Sequence, residues 1–323
     1  MIAVKPLLEV DDLTVDYDAD AGAVRAVDQV SLQVAPGEFI GIVGESGCGK
    51  STLLYAIARL LSAPATIAGG SVRLKGRDLL AMDEEALREI RWRDYSLVMQ
   101  SAMNALNPVL TVGAQLRDTI DAHDAIPKEE SPNRSAALLR MVGIDPVHLK
   151  SYPHQLSGGM RQRAMIAMAL VFKPELVIMD EPTSALDVVA QRSLMLQIKE
   201  LQRRIGFAAI FVTHDMSLVS HFSDRLAVMY AGQIVELGKT RDLFDDPKHP
   251  YTRALMQSFP SISGPKATLQ GIPGSPPDLA HPPAGCRFAP RCPLVEPRFR
   301  VEPPAMVAIG STLVRCHLYG RDH

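Results

Sequence analysis

Polar and apolar residues alternate through Leu7–Tyr17 (LLEVDDLTVDY) and again through Ser31–Phe39 (SLQVAPGEF). A period of two over such lengths predicts antiparallel strands with one wetted face. The pattern then changes. Three short apolar runs, Phe39–Val43 (FIGIV), Leu176–Met179 (LVIM) and Ala208–Val212 (AAIFV), each lead into glycine or polar residues and are separated by helix-like stretches. That arrangement predicts a buried parallel α/β sheet with active residues at the strand ends. Between Gln100 and Gln155 the chain turns helical and polar, and Pro108, Pro127, Pro132 and Pro146 are expected to interrupt it. This reads as an inserted helical subdomain at about 101–163. Beyond Pro247 prolines become dense, in PGSPPDLAHPPAG and PRCPLVEPRFRVEPP. They break helices and remove ladder donors, so an irregular extension over 256–323 is expected to follow a main domain at 1–255.

Composition narrows the class. With 47% hydrophobic and 22% charged residues the chain can bury a sizeable core, which excludes global disorder. A formal charge of -2 supplies no basic excess, so no nucleic-acid partner is expected. The first residues, MIAVKPLLEVDDLTV, lack a basic stretch followed by an apolar core and cleavage site, and no export signal is predicted. No apolar run approaches the roughly 20 residues needed to cross a bilayer, so any membrane role is expected to be peripheral. Of the four cysteines, Cys48 lies in a glycine-rich motif and the other three cannot all pair among themselves. The expectation is a reduced cytosolic compartment without a disulfide framework.

The strongest local motif is GESGCGKS, which comprises Gly44, Glu45, Ser46, Gly47, Cys48, Gly49, Lys50 and Ser51 and is followed by Thr52. It matches the phosphate-loop pattern GxxxxGK[ST] and follows the apolar run FIGIV, as the pattern requires. Glycines let the backbone approach a polyphosphate, and the loop amides and the following helix N-terminus supply positive potential. Lys50 is then expected to reach the β- and γ-phosphates of ATP, and the Ser51 hydroxyl to help hold Mg²⁺. The alternative is a glycine-rich strand-to-helix turn without a ligand.

The choice among phosphate-loop proteins rests on LSGGMRQR, Leu156–Arg163. Here the chain resembles the ABC ATPase family, whose signature is LSGGQ, with Met160 in place of the glutamine. The resemblance spans about Leu7 to Phe244. It implies that Ser157, Gly158 and Gly159 cap the γ-phosphate of ATP held by an opposite subunit, a use of a helix N-terminus for anion binding. A simple N-capped helix beginning at Ser157, with Met165 and Met168 filling core space, is compatible with the same residues. In LVIMDEP the resemblance gives Asp180 to Mg²⁺ and makes Glu181 the general base toward water, where adjacent acids could otherwise be a solvated turn. It assigns Asp187, in Ser184–Asp187 (SALD), to communication between two nucleotide sites. His214, in FVTHD, is implied to contact the γ-phosphate, and Gln100 to sense Mg²⁺ and link the core to the helical insertion. Tyr17 is placed to stack on adenine, with core packing as the alternative.

DPKHPYTRALMQSFP, GIPGSPPDL and GCRFAPRCP, with YPHQLSGGMRQR and Leu106–Pro108 (LNP), resemble the dipeptide, oligopeptide and nickel importer ATPases. The fold implied is an α/β phosphate-loop ABC ATPase core with an antiparallel β subdomain, a helical subdomain and an irregular Pro-rich C-terminal extension. The implied function is ATP hydrolysis that energises import of di- or oligopeptides. A nickel importer of the same subgroup, or a soluble non-transport ABC ATPase, is the alternative. The implied partners are a second, related ABC ATPase, two transmembrane permeases and an external substrate-binding protein. The implied location is the cytoplasmic face of the inner membrane. Some relatives bind an iron–sulfur cluster through four cysteines of the extension. Cys286, Cys292 and Cys316 are present here, but Phe299 stands where the remaining cysteine would align, with His281 or His317 as substitute ligands. The expectation is a structural or docking role without a cluster.

Overall fold

The computed structural model describes residues 5–19, 22–100, 105–123, 131–184, 186–258 and 271–319. The chain divides into two compact units, each assembled from separate stretches: 1–7, 35–39 and 81–212 in the first, and 8–34, 40–80 and 213–323 in the second.

In the first unit, Tyr95–Val98, Leu176–Asp180 and Ala208–Val212 pair as parallel neighbours, with Tyr95 opposite Leu176 and Leu176 opposite Ala208. Every residue of the last two strands is buried, which is why their apolar runs are uninterrupted rather than alternating. Helices Glu84–Ile90 and Val112–Asp121 begin at Asp83 and Thr111, whose side chains accept from Ala86 N and Ala114 N. The long helix Val188–Ile205 starts at Asp187 and stops at Gly206, a left-handed terminus at φ 91°.

Two proline expectations need correction. Pro132 lies in the first turn of helix Ser131–Met141, and Pro146 opens the short 3₁₀ turn Pro146–Lys150. In a first turn the missing N–H would have no partner anyway, so these prolines start elements rather than interrupt them. Pro127 falls outside the described residues. Helix Gly158–Ala169 buries Gln162, Ala164, Ile166, Ala167 and Ala169, while Met165 and Met168 are only half-buried. The small alanines, and not the methionines, form its inner face.

The second unit contains the antiparallel sheet expected from the alternating pattern. Its strands run in the order Val24–Val34, Leu8–Tyr17, Ala65–Leu74, Arg77–Asp78. A separate group pairs Ile40–Val43 in parallel with residues 225–228, and strand Arg225–Tyr230 turns back into Gln233–Lys239. Ala231 and Gly232 form that turn at φ 48° and 85°. Two positive φ values in a two-residue loop match the twist of a hairpin. The C-terminal segment is less irregular than expected. Helix Pro250–Gln257, with proline in its first turn, spans the expected boundary at 255, and within the extension a hairpin of Met306–Ile309 and Thr312–Arg315 pairs its second strand with Gln233–Lys239. Both strands are too short for period-two reading. Among the described residues no helix is long and apolar enough to cross a membrane.

Candidate functional site

The phosphate loop leaves strand Phe39–Val43 and enters helix Lys50–Ile57 through Gly49, which sits at φ 100°. A Cβ there would lie 2.2 Å from the Ala26 carbonyl oxygen, and a Cβ on Gly44 would lie 2.2 Å from that of Met229. Glycine is therefore required at both ends of the loop by backbone packing as well as by conformation. Around Gly47 a Cβ would meet nothing within 4 Å, so the middle of the loop faces open space. Lys50 is buried, and its ammonium donates to the carbonyls of Gly44 (2.9 Å) and Glu45 (3.0 Å). Cys48 Sγ lies 3.8 Å from Lys50 Nζ, and burial pushes its thiol up. Cys48 O accepts from Gly232 N, which ties the loop to the hairpin turn. Tyr17 is half-buried, and its hydroxyl lies 3.2 Å from that of Thr52. That places the aromatic ring at the first turn of the helix that the phosphate loop starts.

The two acids sit at the end of the first unit's central strand. Asp180 is fully buried, and the next residue, Glu181, bends at φ 45°. A left-handed glutamate costs on the order of 1 kcal/mol or more and persists only where its surroundings enforce it. Here Glu181 N donates to Val212 O at 3.0 Å, and Gln100 Nε2 donates to Glu181 Oε2 at 3.1 Å. The buried Gln162 amide donates to Pro182 O, joining helix Gly158–Ala169 to the acid turn. Ser157 N-caps this helix, accepting from Met160 N at 3.3 Å, and remains exposed. Asp187 likewise N-caps Val188–Ile205, accepting from Ala190 N at 2.8 Å; its motif neighbour Ala185 falls outside the described residues. His214 belongs to the second unit and is exposed; it follows Thr213, whose N–H donates to Ile42 O.

Ser51 in the second unit and Asp180 in the first each carry an oxygen of the hard kind that Mg²⁺ takes, and within the second unit the phosphate loop opens where Gly47 lacks a side chain. The extension's residues fall one thiolate short of the four cysteines of an iron–sulfur site, because only Cys286, Cys292 and Cys316 are present and Phe299 offers no ligand atom. Burial raises the thiols of Cys286 and Cys292, and that of Cys316 to about 11. Phe299 is buried and stacks on His317 at 4.7 Å between ring centroids, while His281 is exposed and faces Asp278. Among the described residues no group of three or more His, Cys, Asp or Glu is arranged to hold a metal ion.

Three functional neighbours escape the sequence reading. Tyr251 is buried, and its hydroxyl accepts from Glu45 N at 3.0 Å across 206 positions. Arg291 pairs with the Glu45 carboxylate across 246 positions. Gln162 reaches Pro182 across 20. Separations of this size leave no periodic trace. The strings HPY, PRCP and LSGGMRQR that contain these residues were the available signal, without a role attached.

Comparison with known proteins agrees with this geometry. Residues 27–184 match the ABC transporter family, and residues 235–298 match the oligopeptide/dipeptide transporter C-terminal region. The dipeptide transport ATP-binding protein DppD of Haemophilus influenzae is 43% identical over 313 residues, 96% of this chain and 95% of its own. The protein of the same name from Bacillus subtilis is 43% identical over 319 residues, 98% of this chain and 95% of its own. Among solved structures, the ATP-binding cassette MJ0796, a dimer bound to ADP and phosphate, is 30% identical with a TM-score of 0.65, covering 72% of this chain and 99% of that one. The cbiO1 protein of Clostridium perfringens, part of the ABC transporter complex cbiONQ, is 27% identical with a TM-score of 0.64, covering 75% of this chain and 91% of that one. With the phosphate loop, the signature helix and the strand-end acids in place, the chain belongs to the ABC transporter family, in the branch that carries the oligopeptide/dipeptide transporter C-terminal region.

Proposed function

We propose that the residues at the two strand ends divide the work of ATP hydrolysis. The chain is an ATPase that energises import of peptides through an ABC transporter. Lys50 exchanges its loop carbonyls for the β- and γ-phosphates, while the amides of residues 44–52 cradle the polyphosphate and Tyr17 meets the adenine. Asp180, Ser51 and Gln100 would hold Mg²⁺, which would supply neutralisation of charge on the phosphate oxygens. Glu181 accepts the proton of the attacking water, Gln100 orients its carboxylate, and His214 contacts the γ-phosphate. Ser157, Gly158 and Gly159 serve ATP held by a second subunit, a task that their exposed helix N-terminus suits because an N-terminus favours an anion, and Asp187 links the two nucleotide sites. The working assembly is this chain with a related ATPase, two permeases and an external binding protein, on the cytoplasmic face of the membrane.

The observation that carries the catalytic assignment is Glu181 itself, held in a left-handed conformation beside a fully buried aspartate with Gln100 on its carboxylate. Glu181→Gln keeps size and hydrogen bonding but removes the base. In the assembled transporter, with the equivalent change made in the partner ATPase, turnover is expected to fall by about 10²-fold or more while ATP remains bound. Wild-type turnover in that double variant would remove Glu181 from the mechanism.

A further inference from the structure

We propose that Arg291, in the C-terminal segment, is a positioning residue for ATP: it neutralises and holds Glu45, the second residue of the phosphate loop, so that the loop meets a triphosphate without a bare carboxylate beside it. This rests on the phosphate-loop reading above.

Glu45 is the acidic member of a loop whose other side chains are small or cationic. A carboxylate there opposes the anion that the loop amides attract. Arg291 answers it with both terminal nitrogens, Nη1 donating to Oε2 at 2.7 Å and Nη2 to Oε1 at 3.0 Å. Its remaining donors are also engaged. Nε reaches Pro273 O at 2.8 Å, Nη2 reaches Ile272 O at 3.3 Å and Nη1 reaches the Tyr230 hydroxyl at 3.3 Å. The guanidinium also lies 5.8 Å from the Tyr230 ring centroid. The Arg291 side chain is 4% exposed and that of Glu45 25%, so this is a desolvated, bidentate pair and not a screened surface contact.

The rest of Glu45 is anchored as well, and one of its anchors is temporary. Its N–H donates to Tyr251, and its carbonyl accepts from Lys50. When ATP draws the Lys50 ammonium to its phosphates, that carbonyl contact is released. Arg291 and Tyr251 then remain to fix the residue on which the loop turns. A second arginine supports the same region from behind: Arg287 pairs with Asp28 at 2.7 Å and donates to Ala231 O, in the turn whose Gly232 N–H holds Cys48 O. The extension thus braces both ends of the loop.

The test is a cycle of Arg291→Ala, Glu45→Gln and their double variant in the assembled transporter, read by equilibrium binding of ATP with Mg²⁺ and by kcat and KM. Arg291→Ala exposes the carboxylate and is expected to weaken ATP binding and raise KM by about tenfold, with kcat within about twofold, because the lost interaction acts on ground and transition states alike. Glu45→Gln removes the charge that Arg291 answers, so adding Arg291→Ala to it is expected to cost far less ATP binding than Arg291→Ala costs in the wild-type background. The double variant should recover to within about threefold of wild type, which simple loosening of the extension would not produce. If Arg291→Ala does not fold, Arg291→Lys serves instead; it keeps the charge but loses the fork, with an expected KM rise of about threefold. An Arg291 variant that binds ATP like wild type, or a double variant as weak as Arg291→Ala, overturns the proposal. Lys50→Ala is the control for the underlying reading: if it too binds ATP normally, the phosphate-loop assignment fails. Loss of binding in Lys50→Ala with none in the Arg291 variants sinks only the role of Arg291.

Discussion

The phosphate loop and the acid turn both bend the backbone into the left-handed region, for opposite reasons. At Gly49 the side chain is absent because a Cβ would strike the Ala26 carbonyl, so conformation and packing demand the same residue. At Glu181 the side chain must stay, and the turn tolerates a glutamate at φ 45°. One site removes strain by omitting atoms. The other retains strain to keep a carboxylate at the strand end, held by Val212 O on one side and Gln100 on the other.

The largest effect that would break this comparison belongs to the loop. Gly49→Ala adds a methyl where 2.2 Å is available and a conformation at φ 100° that alanine disfavours. A loss of about 3 kcal/mol or more is expected, together with loss of nucleotide binding, measurable by denaturation and by ATP titration. A variant as stable as wild type would show that the loop backbone can move aside.

An intermediate effect tests the support beneath the loop. His249 is buried and neutral, its pKa pushed down to about 3; its Nδ1 accepts from Tyr251 N, and the Tyr251 hydroxyl holds Glu45. Between that value and the ordinary 6.5 the unfolded chain binds a proton that the folded chain refuses, so stability is full above about pH 6.5 and falls as pH drops toward 3. Glu236, whose carboxylate accepts from His249 N, works in the opposite sense, because burial raises its carboxyl and the folded state takes up that proton first. The net loss by about pH 4 is expected to be on the order of 2 kcal/mol, and His249→Gln should flatten the melting temperature across this range. An unaltered pH profile in that variant would count against the assignment.

The smallest effect is expected at the acid turn. Glu181→Gly relieves the left-handed strain but adds glycine's freedom to the unfolded chain, so stability should stay within about 1 kcal/mol of wild type while turnover collapses. A large drop in melting temperature would mean that Glu181 holds the fold as well as the chemistry.

What the chain reveals in one dimension follows from how far apart the cooperating residues lie. The phosphate loop, the parallel strands and the strand-end acids are local and legible, because each couples a burial pattern to an adjacent functional group. Pro132 and Pro146 mislead, since a proline that starts a helix and one that breaks it look alike without the boundary. Met165 and Met168 mislead because hydrophobicity alone favours them, while close packing of helix Gly158–Ala169 selects the alanines. Arg291, Tyr251 and the hairpin at 306–315 depend on contacts made after the extension folds back, and no spacing rule reports those.

The hairpin carries a last consequence. Strand Gln233–Lys239 uses one edge for Arg225–Tyr230 and the other for Thr312–Arg315, with Glu236 opposite Val314 and Leu237 opposite Leu313. The final strands therefore seal a row of backbone donors and acceptors that would otherwise invite pairing with another chain. A chain shortened before residue 306 would present that row along a strand of buried apolar residues, and self-association by strand addition would be its characteristic failure. Once docked, the C-terminal hairpin is thus also a guard against aggregation, and the time before its last residues dock is when the molecule is most exposed to it.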